Sequence, residues 1–314
     1  MSFPSLYSIC FDYIKDHTED IVSLDGIPFK PVVENILRHL FTTNTPLNSS
    51  ILSVIANSHP KDLREAQFTW TSVLLSKASN RSAVPALTAI SKHFPTFITC
   101  LKLGQSNLGD QDILLLRGFT NLKTLHLGKN PNITNRGMLY LTSITSAAPN
   151  IRLSYLEELH LSDLPGITDK SLKFIGKIST LLYIDITNTN IIDVVALRFL
   201  KKIGYRRVNK WIKPFEIDSA FDMLANMKFY RFIKDMAFQY DQGQVSRPLT
   251  AEDTPNSIQP KLHFSRTATS IADAAVEQEP ANKKELVLKK RRLNTKDYLA
   301  MIEKEMFDDD STNL

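Results

Sequence analysis

The chain has 314 residues, of which 43% are hydrophobic and 23% charged, and this composition is that of a globular protein able to bury a sizeable core. The net charge of +5 is mildly basic, which is compatible with acidic partners or nucleic acid without requiring either. Two cysteines are too few for a disulfide framework, no basic segment precedes the first apolar residues as in a signal peptide, and no apolar run has the length of a membrane span.

Residues 1–95 are predicted to be helical. The first helix has Leu6, Cys10 and Ile14 on one face, because an apolar residue recurs at every fourth position. Asp25-Gly26 interrupts this pattern, and prolines shortly after it suit the first turn of a second helix. Further apolar helical patterns run over residues 51–55, 63–75 and 83–94. We expect this region to cover the apolar end of the segment that follows it.

From residue 96 to 193, one phrase returns four times. Its copies are Ile98-x-x-Leu101-x-Leu103, Leu122-x-x-Leu125-x-Leu127, Leu156-x-x-Leu159-x-Leu161 and Leu181-x-x-Ile184-x-Ile186. Apolar residues at alternate positions are typical of a strand with one buried face. The residues that follow each phrase have a helical pattern, so each copy is predicted to pair a strand with a helical segment.

This phrase resembles the leucine-rich repeat, in which neighbouring copies stack and bury a shared core. The Ile133-Thr-Asn and Ile167-Thr-Asp steps resemble the cysteine-containing repeat class that is common in F-box proteins. Where that class has a buried cysteine or asparagine, this chain has Asn130 and Leu164. The predicted fold is therefore α/β: a short leucine-rich-repeat solenoid of about four repeats, with helical N- and C-terminal caps and a disordered C-terminal tail.

The outward residues of the four strands form a predicted protein-binding face. Its central column is Lys102, His126, His160 and Asp185, and it is flanked by Cys100, Thr124, Glu158 and Tyr183. Neighbouring strands lie about 4.8 Å apart, so we expect His126 and His160 to be adjacent. A metal site would need side chains that converge on one ion, whereas these project in parallel, and we therefore predict no metal here.

After the repeats, residues 194–240 keep their aromatic and apolar residues and are predicted to form a helical C-terminal cap. Residues 241–314 are rich in polar residues and are predicted to be a disordered tail with a short amphipathic helix near its end. The basic run Lys289, Lys290, Arg291 and Arg292 is typical of a nuclear import signal, which predicts an import receptor as partner and a nuclear location, with the cytoplasm as a further location. The alternative interpretation of this run is a solvated stretch of charge.

A second basic cluster has two interpretations. Its members are Lys201, Lys202, Arg206, Arg207, Lys210 and Lys213, interleaved with Tyr205 and Trp211. The lysines and arginines could bind nucleic-acid phosphates while the aromatic rings stack on bases. The interpretation that we favour is the polar side of a capping helix whose aromatic residues lie in the core.

The N-terminal helix carries a more specific resemblance. Ser5-Leu6-x-x-x-Cys10-x-x-x-Ile14 resembles the elongin-C-binding box of cullin ubiquitin ligase receptors, and the order of box and repeats is similar to elongin A and the Zyg-11-type receptors. The resemblance implies that Leu6, Cys10 and Ile14 bind elongin C by helix-in-groove packing. It also implies that the segment with Ile27, Pro28 and Pro31 faces a cullin. The alternative is that the three box residues pack inside the protein.

No enzyme motif is found, since the chain lacks a Gly-rich phosphate loop, a zinc-binding His-Glu-x-x-His helix and a nucleophile elbow. The leading hypothesis is a non-catalytic recognition module without a cofactor, serving as substrate receptor of an elongin C/cullin ubiquitin ligase. The alternatives are a nuclear leucine-rich-repeat scaffold without a ligase link and, less favoured, a nucleic-acid-associated protein.

Overall fold

The structure is a computed structural model that describes residues 6–43, 46–65, 69–75, 80–146, 153–208, 220–241 and 262–266. These residues form a mixed α/β fold, as the alternation of helical and strand patterns predicted. Within them, no helix combines the length and the apolar composition needed to cross a bilayer.

Helices dominate the N-terminal region. Their bounds are α1 Leu6–Asp16, α2 Glu34–Thr42, α3 Ser49–Ser58, α4 Pro60–Glu65 and α5 Asn80–His93. Helix α2 follows a wide turn over Phe29–Val33 and buries Ile36, Leu37 and Leu40, whose spacing of three to four residues places them on one face. The helix predicted over residues 63–75 is wrong at its end, where Ser72–Leu74 forms strand β1. Val73 is buried there and extends the sheet by one strand.

The sheet has seven strands among the described residues, in the order β1-β2-β3-β4-β5-β7-β6. The strands after β1 are β2 Cys100–Lys102, β3 Thr124–His126, β4 Glu158–His160, β5 Tyr183–Asp185, β6 Arg206–Arg207 and β7 His263–Ser265. Strands β1 to β5 pair in parallel with their sequence neighbours, whereas β7 is antiparallel to both β5 and β6. Every apolar position of the four-fold phrase is buried, as the alternation predicted.

The helical segments behind the sheet follow the order of the strands. They are a 3-10 helix over Asp110–Leu116, α6 Asn135–Thr145, α7 Leu172–Gly176 and α8 Asp193–Lys202. Each contacts the next one, so helices and strands form two layers with the leucine core between them.

The chain leaves each of the strands β2 to β5 through the same turn. The third residue after the strand has a left-handed backbone in all four cases: φ is 58° at Gln105, 60° at Lys129, 58° at Asp163 and 55° at Asn188. Amide groups in these turns donate to the neighbouring turn, for example Lys129 N to Ser162 O at 2.9 Å. A strained conformation that recurs at one position shows that the four segments are structurally equivalent.

Asn130 joins two of these turns. Its side-chain oxygen accepts the amides of Ser106 and Leu108 at 2.9 and 3.1 Å, and its amide nitrogen donates to the carbonyls of Leu103 and Leu127 at 2.9 and 2.7 Å. These contacts satisfy backbone groups that would otherwise be buried without partners.

Helix α9, Ala220–Asp241, packs elsewhere than predicted. Residues 194–240 were expected to cap the C-terminal end of the sheet. Helix α8 and strand β6 lie at that end, whereas α9 contacts α2, α5 and β1 at the opposite end. Phe229 of α9 inserts between Phe41, Phe94 and Phe97, with ring centroids 5.7, 5.9 and 6.0 Å away. The aromatic pocket at the N-terminal end therefore decides where this helix binds.

The predicted disordered tail is wrong for residues 262–266. This short segment supplies β7, with Leu262 and Phe264 buried and His263 and Ser265 on the outward side. Arg266 holds its end in place, because the guanidinium donates to the Leu181 carbonyl at 2.6 Å and lies over the Tyr205 ring. The remaining residues of 242–314 lie outside the described residues.

Candidate functional site

The outward side chains of the sheet form two rows, which together we call the open face. One row contains Ser72, Cys100, Thr124, Glu158, Tyr183 and Ser265, and the other Leu74, Lys102, His126, His160, Asp185 and His263. The structure thus brings together all eight residues predicted for the partner-binding face, in the predicted columns. It adds residues from β1 and β7 that the repeat pattern did not include.

Stacked rings occupy the centre of the open face. The imidazoles of His126 and His160 are 3.8 Å apart and inclined by only 6°. His160 is 2% exposed, and its ring lies 5.2 Å from that of Tyr183. The Tyr183 hydroxyl is hydrogen-bonded to Nδ1 of His263 at 2.8 Å, which continues the row of rings to β7.

The carboxylates of Glu158 and Asp185 lie on either side of His160. Glu158 Oε2 is 3.8 Å from Nε2 of the ring and accepts the Thr124 hydroxyl at 3.1 Å. Asp185 Oδ2 is 4.0 Å from Nδ1 of the same ring, and Asp185 Oδ1 accepts the Thr187 amide at 3.0 Å. The imidazole therefore lies between two acidic groups that other contacts hold in place.

Both carboxyl groups are held in the ionised form. Burial by itself raises the pKa of Glu158, but its interactions with His160, Thr124 and Lys123 outweigh this effect, so that the pKa is lowered from its ordinary value. The pKa of Asp185 is also lowered, because contacts with His160, Thr187 and His263 outweigh its burial. Glu158 and Asp185 are thus carboxylates at neutral pH.

His126 and Cys100 are neutral at the same pH. Burial, reinforced by the nearby His160 and Lys102, lowers the pKa of His126 to about 2. Nε2 of His126 is buried and makes no hydrogen bond to the described residues. Burial raises the pKa of Cys100 to about 11, so its thiol stays protonated and lacks the thiolate that nucleophilic chemistry requires.

The histidines and acids of this face do not converge on one point. His126 and His160 stack face to face, which points their nitrogens side by side. In the part of the chain that the structure describes, no group of three or more histidine, cysteine, aspartate or glutamate residues has the geometry of a metal site.

His263 is the main member of the site that sequence reasoning missed. Its Nδ1 lies 3.3 Å from Asp185 Oδ1, in addition to the contact with Tyr183. The available signal was weak: Leu262-His263-Phe264-Ser265 alternates apolar and polar residues over only four positions. A strand this short is not distinguishable by pattern from the polar stretch around it.

The predicted elongin-C-binding residues have mixed surroundings. Cys10 is exposed, whereas Ile14 is half-buried against the core, and the side chain of Leu6 lies outside the described part of the chain. Ile9 and Tyr13 on the same helix are 55% and 65% exposed. Helix α1 therefore presents an apolar surface to solvent while one box residue attaches it to the protein.

In the predicted cullin-facing segment, Pro28 and Pro31 are exposed, and Ile27 is half-buried against the core. The two prolines flank the first part of the turn that leads into α2. This segment and α1 belong to the same helical N-terminal region.

Of the two predicted basic clusters, the structure describes part of one. Lys289, Lys290, Arg291 and Arg292 lie outside the described residues. Lys201, Lys202, Arg206 and Arg207 are exposed, but Tyr205 between them is 2% exposed and donates its hydroxyl to the Leu181 carbonyl at 2.8 Å. A ring held in the core does not stack on a base, so Tyr205 does not provide the predicted stacking. Lys210, Trp211 and Lys213 of the same cluster lie outside the described residues.

Comparison of the chain with protein-family models and with curated proteins gives no significant match.

Proposed function

We propose that this chain is a non-catalytic protein-recognition module built on a short leucine-rich-repeat solenoid. The observation that carries the proposal is the equivalence of the segments around β2 to β5, which share buried positions, strand register and a left-handed turn residue. Stacked units of this kind present an extended surface whose outward residues vary while the core positions are kept. The open face is the proposed surface for a protein partner.

In the same proposal, helix α1 recruits elongin C and thereby a cullin ubiquitin ligase. Cys10 is exposed on this helix beside the exposed Ile9, which supports contact with a partner. Leu6 and Cys10 would anchor the adaptor, Ile14 would attach the helix to the protein, and Pro28 would begin the cullin-facing segment. The nuclear location and the import receptor remain predictions from Lys289 to Arg292.

The second candidate is a scaffold without a ligase link, and the packing of Ile14 against the core is the observation that favours it. In this alternative, α1 is purely structural and the open face alone binds a partner. The two candidates differ in whether the exposed surface of α1 contacts another protein.

Substitution of Cys10 by phenylalanine separates the candidates. Because Cys10 is exposed, Cys10→Phe should change the free energy of unfolding by no more than about 0.5 kcal/mol, yet the larger ring should block entry into a fitted groove. We expect purified elongin C to bind the wild-type chain and to lose binding to Cys10→Phe in a pull-down. Asp12→Phe is the matched control, since it adds the same ring at an exposed site outside the box.

The open face is tested in parallel by co-purification from eukaryotic cells. Thr124→Trp places a bulky ring among the outward residues, and Ser143→Trp places one on the exposed side of α6. We expect only Thr124→Trp to lose the partner of the face, while elongin C is retained by both. Failure of the wild type to bind elongin C refutes the adaptor role; a partner that survives Thr124→Trp refutes the recognition face.

A further inference from the structure

Among the described residues, neither Glu158 nor Asp185 of the open face forms an ion pair with a lysine or arginine. The ion-pair partners of Glu158 and Asp185 among the described residues are the rings of His160 and His263. Lys123, directly before β3, pairs at 3.2 Å with Glu157, and its charge also lowers the pKa of Glu158. Asp185 is 5% exposed, so of the two carboxylates it is Glu158 that is accessible to a cation from outside.

Planar rings lie directly beside these carboxylates. Glu158 and Tyr183 are register partners on adjacent strands, and Glu158 is the more accessible acid, with 38% of its side chain exposed. The hydrogen bond to His263 fixes the orientation of the Tyr183 ring, while the stack with His126 fixes His160. The carboxylates and the rings thus form one preorganised surface rather than a set of mobile side chains.

We propose that the open face recognises an arginine side chain of its protein partner, whose guanidinium pairs with Glu158 and packs on the ring of Tyr183. A guanidinium suits this arrangement because it is planar, always charged and able to stack on an aromatic face while it donates two parallel hydrogen bonds to a carboxylate. A lysine ammonium supplies the charge without the stacking plane, so it fits less well. The inference rests on the proposed role of the open face in protein recognition.

The whole-molecule charge opposes unspecific binding of a cation. The net charge is +5, so a positively charged peptide is repelled on average and gains affinity only from local contacts such as that with Glu158. Lys102, in the row next to His126, disfavours a cation on the β2 side. The predicted arginine contact is therefore centred on β4 and β5.

A peptide titration of the full chain tests this inference. The probes are the capped tripeptides Gly-Arg-Gly, Gly-Lys-Gly and Gly-citrulline-Gly, the last being a neutral analogue of arginine with nearly the same shape. The readout is the imidazole NMR resonances of the seven histidines, of which His126, His160 and His263 lie on the open face. We expect saturable shifts of these three resonances with the arginine peptide, weaker ones with lysine and none with citrulline.

Two neighbouring substitutions provide the matched control. Glu158→Gln should weaken binding of the arginine peptide roughly tenfold, the scale of one charge-assisted hydrogen bond. Glu157→Gln removes the neighbouring carboxylate, which pairs with Lys123. This substitution should leave the affinity for the arginine peptide unchanged. Equal shifts with arginine and citrulline, or equal effects of the two substitutions, would overturn the inference.

Failure of the arginine inference can be distinguished from failure of the proposed recognition function. If Thr124→Trp removes a co-purified partner but the arginine peptide shifts none of the three histidines, the face recognises its partner by another chemistry and only this inference fails. If Thr124→Trp removes no partner, the recognition role itself fails.

Discussion

His126 shows how a single residue of the open face is coupled to folding. Its ring is stacked on that of His160 and is kept neutral, because burial and the neighbouring His160 and Lys102 lower its pKa to about 2. In the unfolded chain the same imidazole titrates near its ordinary value of 6.5. Between these two values the unfolded chain binds one proton that the folded chain does not, so folding is opposed as the pH falls.

We therefore predict that His126→Phe makes the protein less sensitive to mild acid. The free energy of unfolding of the wild type should decrease as the pH falls below 6.5, with a contribution from His126 of at most about 1.4 kcal/mol per pH unit. Phenylalanine keeps a ring for the stack but does not titrate, so the slope should be smaller. Urea unfolding at pH 7.5, 6.5, 5.5 and 5.0 measures this slope. These pH values lie above the range in which Glu158 and Asp185 are protonated. Identical slopes for both proteins would contradict the assignment.

At the scale of elements, α9 is a connector between distant parts of the sequence. It lies after all four repeats in the chain but fills the aromatic pocket formed by α2, α5 and the segment before β2. Lys228 on the same helix donates to the carbonyls of Leu40 and Thr43, which lie at the C-terminal end of α2. The helix thus contributes both apolar burial and a cap for another helix.

Two phenylalanines of α9 allow a direct test. Phe229 is 1% exposed, and Phe229→Ala should reduce the free energy of unfolding by about 3–5 kcal/mol because it leaves a cavity among aromatic rings. Phe238 is 65% exposed on the same helix, and Phe238→Ala should change stability by no more than about 0.5 kcal/mol. Chemical denaturation of both variants is the measurement. Similar effects of the two substitutions would show that α9 does not pack as described.

At the scale of the whole molecule, the sheet is completed at both ends by segments outside the repeated phrase. Strand β1 comes from the helical N-terminal region, and β7 comes from far beyond the repeats to lie between β5 and β6. The amides of Ile186 and Val208 donate to carbonyls of residues 262 and 263, at 3.1 and 3.0 Å. Strand β7 therefore covers the edge of β5 and positions His263 beside Tyr183.

Phe264→Asp should release β7 while the repeats stay folded, because it places a charge where a ring is 1% exposed. The amides of Ile186 and Val208 should then exchange hydrogen faster, whereas the amides between β2, β3 and β4 should stay protected. Ser265→Asp adds the same charge on the outward side and serves as the control. If Phe264→Asp leaves the Ile186 amide protected, β7 is not held by Phe264.

Parts of the candidate site that depend on residues close together in the sequence were predictable, and parts that depend on residues far apart were not. Lys102, His126, His160 and Asp185 were placed correctly because strand alternation is local: once Leu101 or Leu125 points inward, its neighbours point outward. His263 and strand β1 were not placed, since neither segment contains the repeated phrase. The ionisation of Glu158 and the neutrality of His126 also required coordinates, because they depend on contacts between strands.

The sequence by itself determined the repeated strand phrase, the buried leucines and the composition of the open face, because these follow from a two-residue period within each strand. Only the tertiary structure decided that α9 packs at the N-terminal end, that residues 262–266 join the sheet and that His263 enters the row of rings. Apolar side chains at helical or strand spacing predict that a segment is buried. The surface against which it is buried depends on shape and partners far away in the chain, such as the pocket around Phe229 and the open edge of β5.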